Sequence, residues 1–179
     1  MKTMKTTTLF VLSILFAVTG YPAQPRAEWS GQKTREETLT STNGIVLEGS
    51  EKLISPDTFR PPVEITIVAK TDSTNLRISY AADQVVFNWE AEIDQLQVNG
   101  GPADGQHKKG VGQIPKDKFV TIRWLVTPKH QAVYVDDELR FEHCGDYAGI
   151  RRAVSVFPSG GSVVTVKSIT VNFSIAASP

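Results

Sequence analysis

Cysteine is nearly absent from this chain: Cys144 is the only one among 179 residues. One thiol cannot form a bridge within the chain, so stability must come from a packed core. Metal-ligand spacing is missing too. His107, His130 and His143 stand far apart, with no Cys or His at the short intervals that metal sites use. No cofactor and no metal are therefore expected. After residue 18 no apolar run is long enough for a membrane helix. No segment shows the three-and-four recurrence of an amphipathic helix, and no repeat is visible, which disfavours a propeller or solenoid.

An excess of charge is lacking as well. The chain carries 19 basic and 19 acidic residues. Three of the basic ones, Lys2, Lys5 and Arg26, precede residue 28, and the remainder carries a net charge of −3 with histidine neutral. Such a balance provides no field for grasping a phosphate backbone, so nucleic acid is not an expected partner.

The N-terminus has Lys2 and Lys5, then an apolar run from Leu9 to Val18. A positive stretch, a short apolar core and small residues beyond it read as a secretory signal peptide, residues 1–27. Both Val18-Thr19-Gly20 and Pro25-Arg26-Ala27 end in a small residue and are candidate cleavage sites, which places the cut near residues 20–27. The expected location is secreted or periplasmic. Residues 28–42 are polar with mixed charge and read as an N-terminal arm or linker. Residues 43–175 form the predicted domain, opened by a turn at Asn43-Gly44.

Within that domain a period of two dominates. Val63, Ile65, Ile67 and Ala69 alternate with Glu64, Thr66, Val68 and Lys70. Leu76, Ile78 and Tyr80 alternate with Arg77 and Ser79. Val85, Phe87 and Trp89 alternate with Gln84, Val86, Asn88 and Glu90. Val120, Ile122, Trp124 and Val126 alternate with Thr121, Arg123 and Leu125. These are half-buried strands. Turns are expected at Asp72–Thr74, Ala81–Asp83, Asp136-Asp137 and Pro158–Ser162. A long polar loop is expected from Asn99 to Lys118. In the last segment Val164 and Val166 share one parity while Ile169, Val171 and Phe173 share the other, so a β-bulge is expected near Lys167-Ser168. About ten short strands without crossover helices make an all-β, two-sheet antiparallel sandwich. Phe87, Trp89, Ile122, Trp124, Val133 and Val135 are the expected core, and Cys144 reads as a small buried filler at a strand end.

Three stretches, Ala69–Arg77, Val86–Glu90 and Phe119–Trp124 leading into Val133–Asp137, resemble the concanavalin A-like (laminin G-like, jelly-roll) superfamily, over about 100 residues. The chain also looks like secreted bacterial modules of that type whose function is unassigned. In the family the hairpin turn reads close to Val-Asp-Gly, whereas here Asp137 follows Asp136. The superfamily includes lectins, glycan-binding modules and glycoside hydrolases. The resemblance therefore implies a jelly-roll sandwich, and with export it implies an extracellular or cell-surface glycan as partner, or else another protein chain in a structural or interaction role.

Glu92-Ile93-Asp94-Gln95-Leu96-Gln97 looks like the Glu-Ile-Asp-x-x-Glu signature of laminarinase-type retaining glycoside hydrolases. There the first Glu is the nucleophile, matching Glu92, and the last is the acid/base. Here that last position is Gln97, and an amide cannot donate and recover a proton. The reading is thus a non-catalytic binding module with no catalytic residue assigned. The candidate ligand contacts are Arg77, Asn88, Glu90 and Arg123 on the polar side of a sheet, whose amide, carboxylate and guanidinium groups match pairs of sugar hydroxyls. Tyr80 or Tyr147 is a candidate aromatic platform. Asp136, Asp137 and Glu138, with Asp104 in the long loop, offer oxygens of the kind calcium uses but without calcium-loop spacing, and they read as an exposed acidic turn. His107, Lys108 and Lys109 stand in the long loop, where they could form one wall of a groove or meet an acidic partner.

Overall fold

The computed structural model describes residues 34–174, so the predicted signal peptide lies outside the described residues. Twelve strands run in chain order: β1 Thr34–Leu47, β2 Leu53–Ile54, β3 Val63–Thr71, β4 Leu76–Ser79, β5 Gln84–Phe87, β6 Leu96–Asn99, β7 His107–Lys108, β8 Val120–Val126, β9 His130–Val135, β10 Glu138–Cys144, β11 Ser155–Phe157 and β12 Val164–Ser174. Among the described residues the one helical element is a single 3-10 turn, Gly101–Ala103. The strands form two six-stranded sheets, β1-β12-β3-β8-β9-β10 and β2-β11-β4-β5-β6-β7. All pairings are antiparallel. This is the two-sheet antiparallel sandwich that the alternation implied, in the jelly-roll form that the resemblance implied. For brevity the first is called the long-stranded sheet and the second the short-stranded sheet.

The core lies between the sheets. Val63, Ile65, Ile67 and Ala69 on β3, Ile122 and Trp124 on β8, and Val133 and Val135 on β9 face Leu76, Ile78, Val85, Phe87, Leu96 and Val98 of the other sheet. Burial of alternate residues on half-buried strands follows from the period of two. The indole of Trp124 meets the ring of Tyr80 edge-on, with centroids 6.2 Å apart, and its Nε1–H donates to Oε1 of the buried Gln131 at 2.9 Å.

β12 carries the expected bulge. Val166 pairs with Ala69 and Ser168 with Val68, so Lys167 is the extra residue and the buried parity shifts from Val166 to Ile169. At the β9–β10 hairpin, Asp136 and Asp137 have φ of 47° and 68°, as tight hairpin turns require, and Asp136 accepts the Thr121 amide at 2.8 Å.

Several local expectations are corrected. Thr34 to Thr42, inside the segment expected to be an arm or linker, belongs to β1, and Thr34 to Thr40 pair with β12. Asn43-Gly44 is therefore not a hairpin. It lies where the β1–β12 register shifts between Thr40 and Ile45. Gly44 has φ of +82°, and a Cβ there would lie 2.6 Å from Thr165 Cγ2, so the irregularity calls for glycine. Cys144 is exposed rather than buried. It ends β10, the outer strand of its sheet among the described residues. The Asn99–Lys118 loop contains the 3-10 turn and β7, and it inserts Ile114 into the core. Trp89 is only half-buried and stands outside the core, because β5 ends at Phe87 and Asn88 takes a left-handed φ of 49° that breaks the alternation.

Candidate functional site

The outer face of the short-stranded sheet can be built from the register. Phe157 pairs with Arg77, Arg77 with Val86, Val86 with Gln97, and Gln97 with His107. Partnered residues point to the same side, so one row crosses β11, β4, β5, β6 and β7 on the face away from the core. Val86 is fully buried yet does not belong to the core cluster, so the side chains around it roof it over on this outer face.

Arg77 stands second in the row, between Phe157 and Val86. Its Nη1 donates to Gln84 Oε1 and its Nη2 to Asn75 Oδ1, both at 3.0 Å, and Nη2 lies 3.8 Å from Glu90 Oε1. The Arg77 side chain is 17% exposed and its buried Nε–H has no partner among the described residues. A guanidinium so oriented is preorganised, because its fork is fixed by two amide oxygens rather than by solvent. Glu90 is half exposed and leaves carboxylate oxygen facing solvent. At the β7 end the half-buried Trp89 ring lies 6.1 Å from the ring of the exposed His107, tilted by 45°. The face thus offers charged, amide and aromatic groups within one strip.

At the other end, Lys52, Ile54, Ser79, Asp83, Arg152, Ala153 and Ser155 line an open groove of about 380 Å³. Ser79 and Ser155 are register partners whose hydroxyls hydrogen-bond each other. Arg152 Nη2 reaches Asp83 Oδ1 at 2.7 Å. Lys52 Nζ lies 4.3 Å from the centroid of the Phe157 ring.

The four contacts expected from sequence do not all meet. Arg77 and Glu90 do. Asn88 is fully buried: its Nδ2 donates to Ser73 O at 3.1 Å and Ile114 O at 3.0 Å, and its Oδ1 accepts the Ile114 amide at 2.8 Å. It clasps two loops and offers nothing to a ligand. Arg123 belongs to the other sheet, where it pairs with Thr66 and Tyr134 and stacks on the Tyr134 ring at 4.1 Å. Tyr80 and Tyr147 are fully buried, so neither is a platform. Burial pushes both hydroxyls up, that of Tyr147 to about 12, and Tyr147 OH bonds His143 Nδ1 at 2.7 Å. Parity alone missed Gln97, His107 and Trp89. The signal available was the Gly-bracketed polar stretch after Asn99, which returns to β6 as a short strand.

Glu92 and Asp94 sit in the turn before β6, closed by the Gln95 amide on Glu92 O at 2.9 Å, while Gln97 is on the strand itself. The Glu92 carboxylate pairs with Lys109 at 3.4 Å. Among the described residues no group of three or more His, Cys, Asp or Glu converges as metal ligands. The Asp136–Glu138 turn is used locally, with Glu138 bound to Arg140 at 3.1 Å. No described helix is long and apolar enough to cross a membrane.

No protein-family description matches the chain, and no curated protein matches it in sequence. Solved structures do match in shape. The galectin LEC-6 of Caenorhabditis elegans aligns with a TM-score of 0.51 at 12% identity, over 76% of this chain and 94% of that one. The exoplasmic/lumenal domain of VIP36 in its Ca2+/Man-bound form gives 0.56 at 8% identity, over 82% and 84%. The apo Crh5 transglycosylase gives 0.57 at 11% identity, over 80% and 85%. At such identities the likeness is one of fold alone, and the fold of this chain is a galectin-like jelly-roll sandwich.

Proposed function

We propose that this protein is an exported, non-catalytic module that binds a glycan on the outer face of its short-stranded sheet. The observation that carries the proposal is the Arg77 guanidinium, nearly buried and held by Asn75, Gln84 and Glu90 on the face that also bears Gln97 and the Trp89–His107 rim. A fixed fork of donors beside a carboxylate suits the adjacent hydroxyls of a pyranose, and the indole offers a flat apolar surface to the C–H face of a ring. The kinds of protein that share the fold, a galectin and a Ca2+/Man-bound domain among them, support the same reading. Export enters from the Leu9–Val18 run and its basic flank.

An open strip buries little apolar area, so affinity is expected to be on the order of 10–1000 μM. A glycan array followed by titration calorimetry on the purified protein tests this. Trp89→Ala and Glu90→Ala should each weaken binding about tenfold or more, since a tenfold change corresponds to about 1.4 kcal/mol. If no glycan binds, or if both variants bind as wild type does, the site is wrong. A protein partner would show instead as a flatter contact with an apolar centre.

No hydrolysis of β-glucans, galactans or xylans is expected. Retaining chemistry needs two carboxyl groups about 5–5.5 Å apart, and the position of the acid/base is the amide Gln97. Reducing-sugar release by pure protein, lost in Glu92→Gln, would overturn that expectation.

A further inference from the structure

We infer that the glycan is anionic, and that the groove at the β2 end of the same face holds its acidic group, a carboxylate of a uronic acid or a sulfate ester. The inference rests on the glycan reading above and adds a chemical class to it.

The groove of about 380 Å³ falls in the size range of small-ligand sites. It is continuous with the Arg77 strip. Ser79 lies two residues from Arg77 on β4, hence on the same side and about 7 Å further along, and Ser155 is its register partner on β11. Adjacent strands stand about 4.8 Å apart. The face from β2 to β7 therefore spans six strands and about 24 Å, enough for several sugar rings laid across the strands.

The charges within the groove are unequal. Arg152 and Asp83 neutralise each other at 2.7 Å. Lys52 makes no ion pair among the described residues, and its ammonium rests on the Phe157 ring instead. Among the described residues that line it, the groove thus carries one uncompensated positive charge. Next to Phe157 in the cross-strand row stands Arg77, whose nearest carboxylate among the described residues, that of Glu90, is at 3.8 Å and whose Nε–H has no partner among them. Two cations therefore flank the Phe157 position. A carboxylate or sulfate between Lys52 and the Ser79–Ser155 pair would receive a charge-assisted hydrogen bond from Lys52 and one more from the serine hydroxyl that does not donate to the other. Ile54, 53% exposed, supplies an aliphatic wall for the C–H face of the ring that carries the acid. A lysine held only by a half-buried aromatic ring at the surface is released at small cost when such an anion arrives.

The test uses the purified protein and three probes in calorimetry at low salt: a hexamer of galacturonic acid, its carboxyl-reduced neutral counterpart, and a sulfated galactan hexamer. At least one acidic probe should bind tenfold or more tighter than the neutral hexamer, and added salt should erode the advantage. Lys52→Gln should bring that acidic probe down to the level of the neutral one, while Lys52→Arg keeps the preference. Trp89→Ala should weaken both acidic and neutral probes. Which acidic probe is preferred identifies the carboxylate or the sulfate as the source. If glycans bind but acidic and neutral ones bind alike, or if Lys52→Gln keeps the preference, the anion site is overturned while the glycan reading stands. If no glycan binds, both fall. Lys52 is exposed, so the melting temperature of its variants should match wild type and separate lost binding from lost folding.

Discussion

Asn88→Ala is expected to destabilise the protein by about 3–5 kcal/mol in a denaturant melt while leaving the glycan affinity of the folded fraction unchanged. Two costs add. The side chain satisfies the Ser73 and Ile114 carbonyls and the Ile114 amide in a buried site. Each buried backbone group left without a partner costs about 1–3 kcal/mol, reduced where water can enter. The backbone adds the second cost, because φ at Asn88 is 49°. Asparagine tolerates that region, whereas alanine meets a penalty of about 1–2 kcal/mol. Asn88→Gly separates the two: it removes the hydrogen bonds but relieves the backbone, and should be milder than alanine by about 1 kcal/mol. A stability loss under 1 kcal/mol for Asn88→Ala, or a selective loss of binding without destabilisation, would return Asn88 to the ligand side and refute its role as a clasp. The clasp also explains a nearby glycine. Gly112 donates to Asp94 O and accepts the Asn88 amide, and a Cβ on it would lie 2.1 Å from the Gln95 carbonyl carbon.

Trp124→Ala should cost about 3–5 kcal/mol, the range for truncating a large core aromatic. The ring is fully buried between the sheets and in contact with Tyr80. Its removal leaves a cavity that the strands can close only by shifting their register, which fixed pairing with Ile65 and Val133 opposes. It also orphans Gln131 Oε1, which is buried. Against a typical domain stability of about 5–15 kcal/mol, either substitution removes a large fraction. Trp124→Phe fills much of the volume but leaves the same orphaned oxygen, so a loss of about 1–3 kcal/mol is expected. Urea titrations of the three proteins check both figures, and a change below 1 kcal/mol for the alanine variant would contradict the packing described.

Strand identity and facing were legible in the chain wherever a strand is regular. The alternation from Val63 to Ala69 and from Val120 to Val126 matches the buried rows, and even the bulge at Lys167 showed as a slipped parity. The errors share one cause. Parity is carried forward only while the backbone stays extended. A single left-handed residue at Asn88 turned Trp89 out of the core and Asn88 into it. The Asn43-Gly44 pair is ambiguous for a related reason, because a positive φ serves a hairpin and a bulge alike.

The site divides in the same way. Arg77 stands on the outer face of β4 as its alternation implied, whereas Glu90 lies beyond the end of β5 and comes within 3.8 Å of Arg77 only through the fold. Arg123 has the same parity and the same chemistry, yet it belongs to the other sheet, since nothing in a strand's own pattern says which of two sheets it joins. The sequence by itself determined that this chain is an antiparallel sandwich, which residues line most of its core, and that the laminarinase-like motif lacks its acid/base carboxylate. Only the tertiary structure decided which polar residues share a face, that Trp89 and His107 rim it, and that Lys52 and Arg152 reach it from segments distant in the chain. The physical reason is that alternation is set by the backbone within a few residues, whereas sheet partnership is set by long-range pairing between segments as far apart as Ser79 and Ser155.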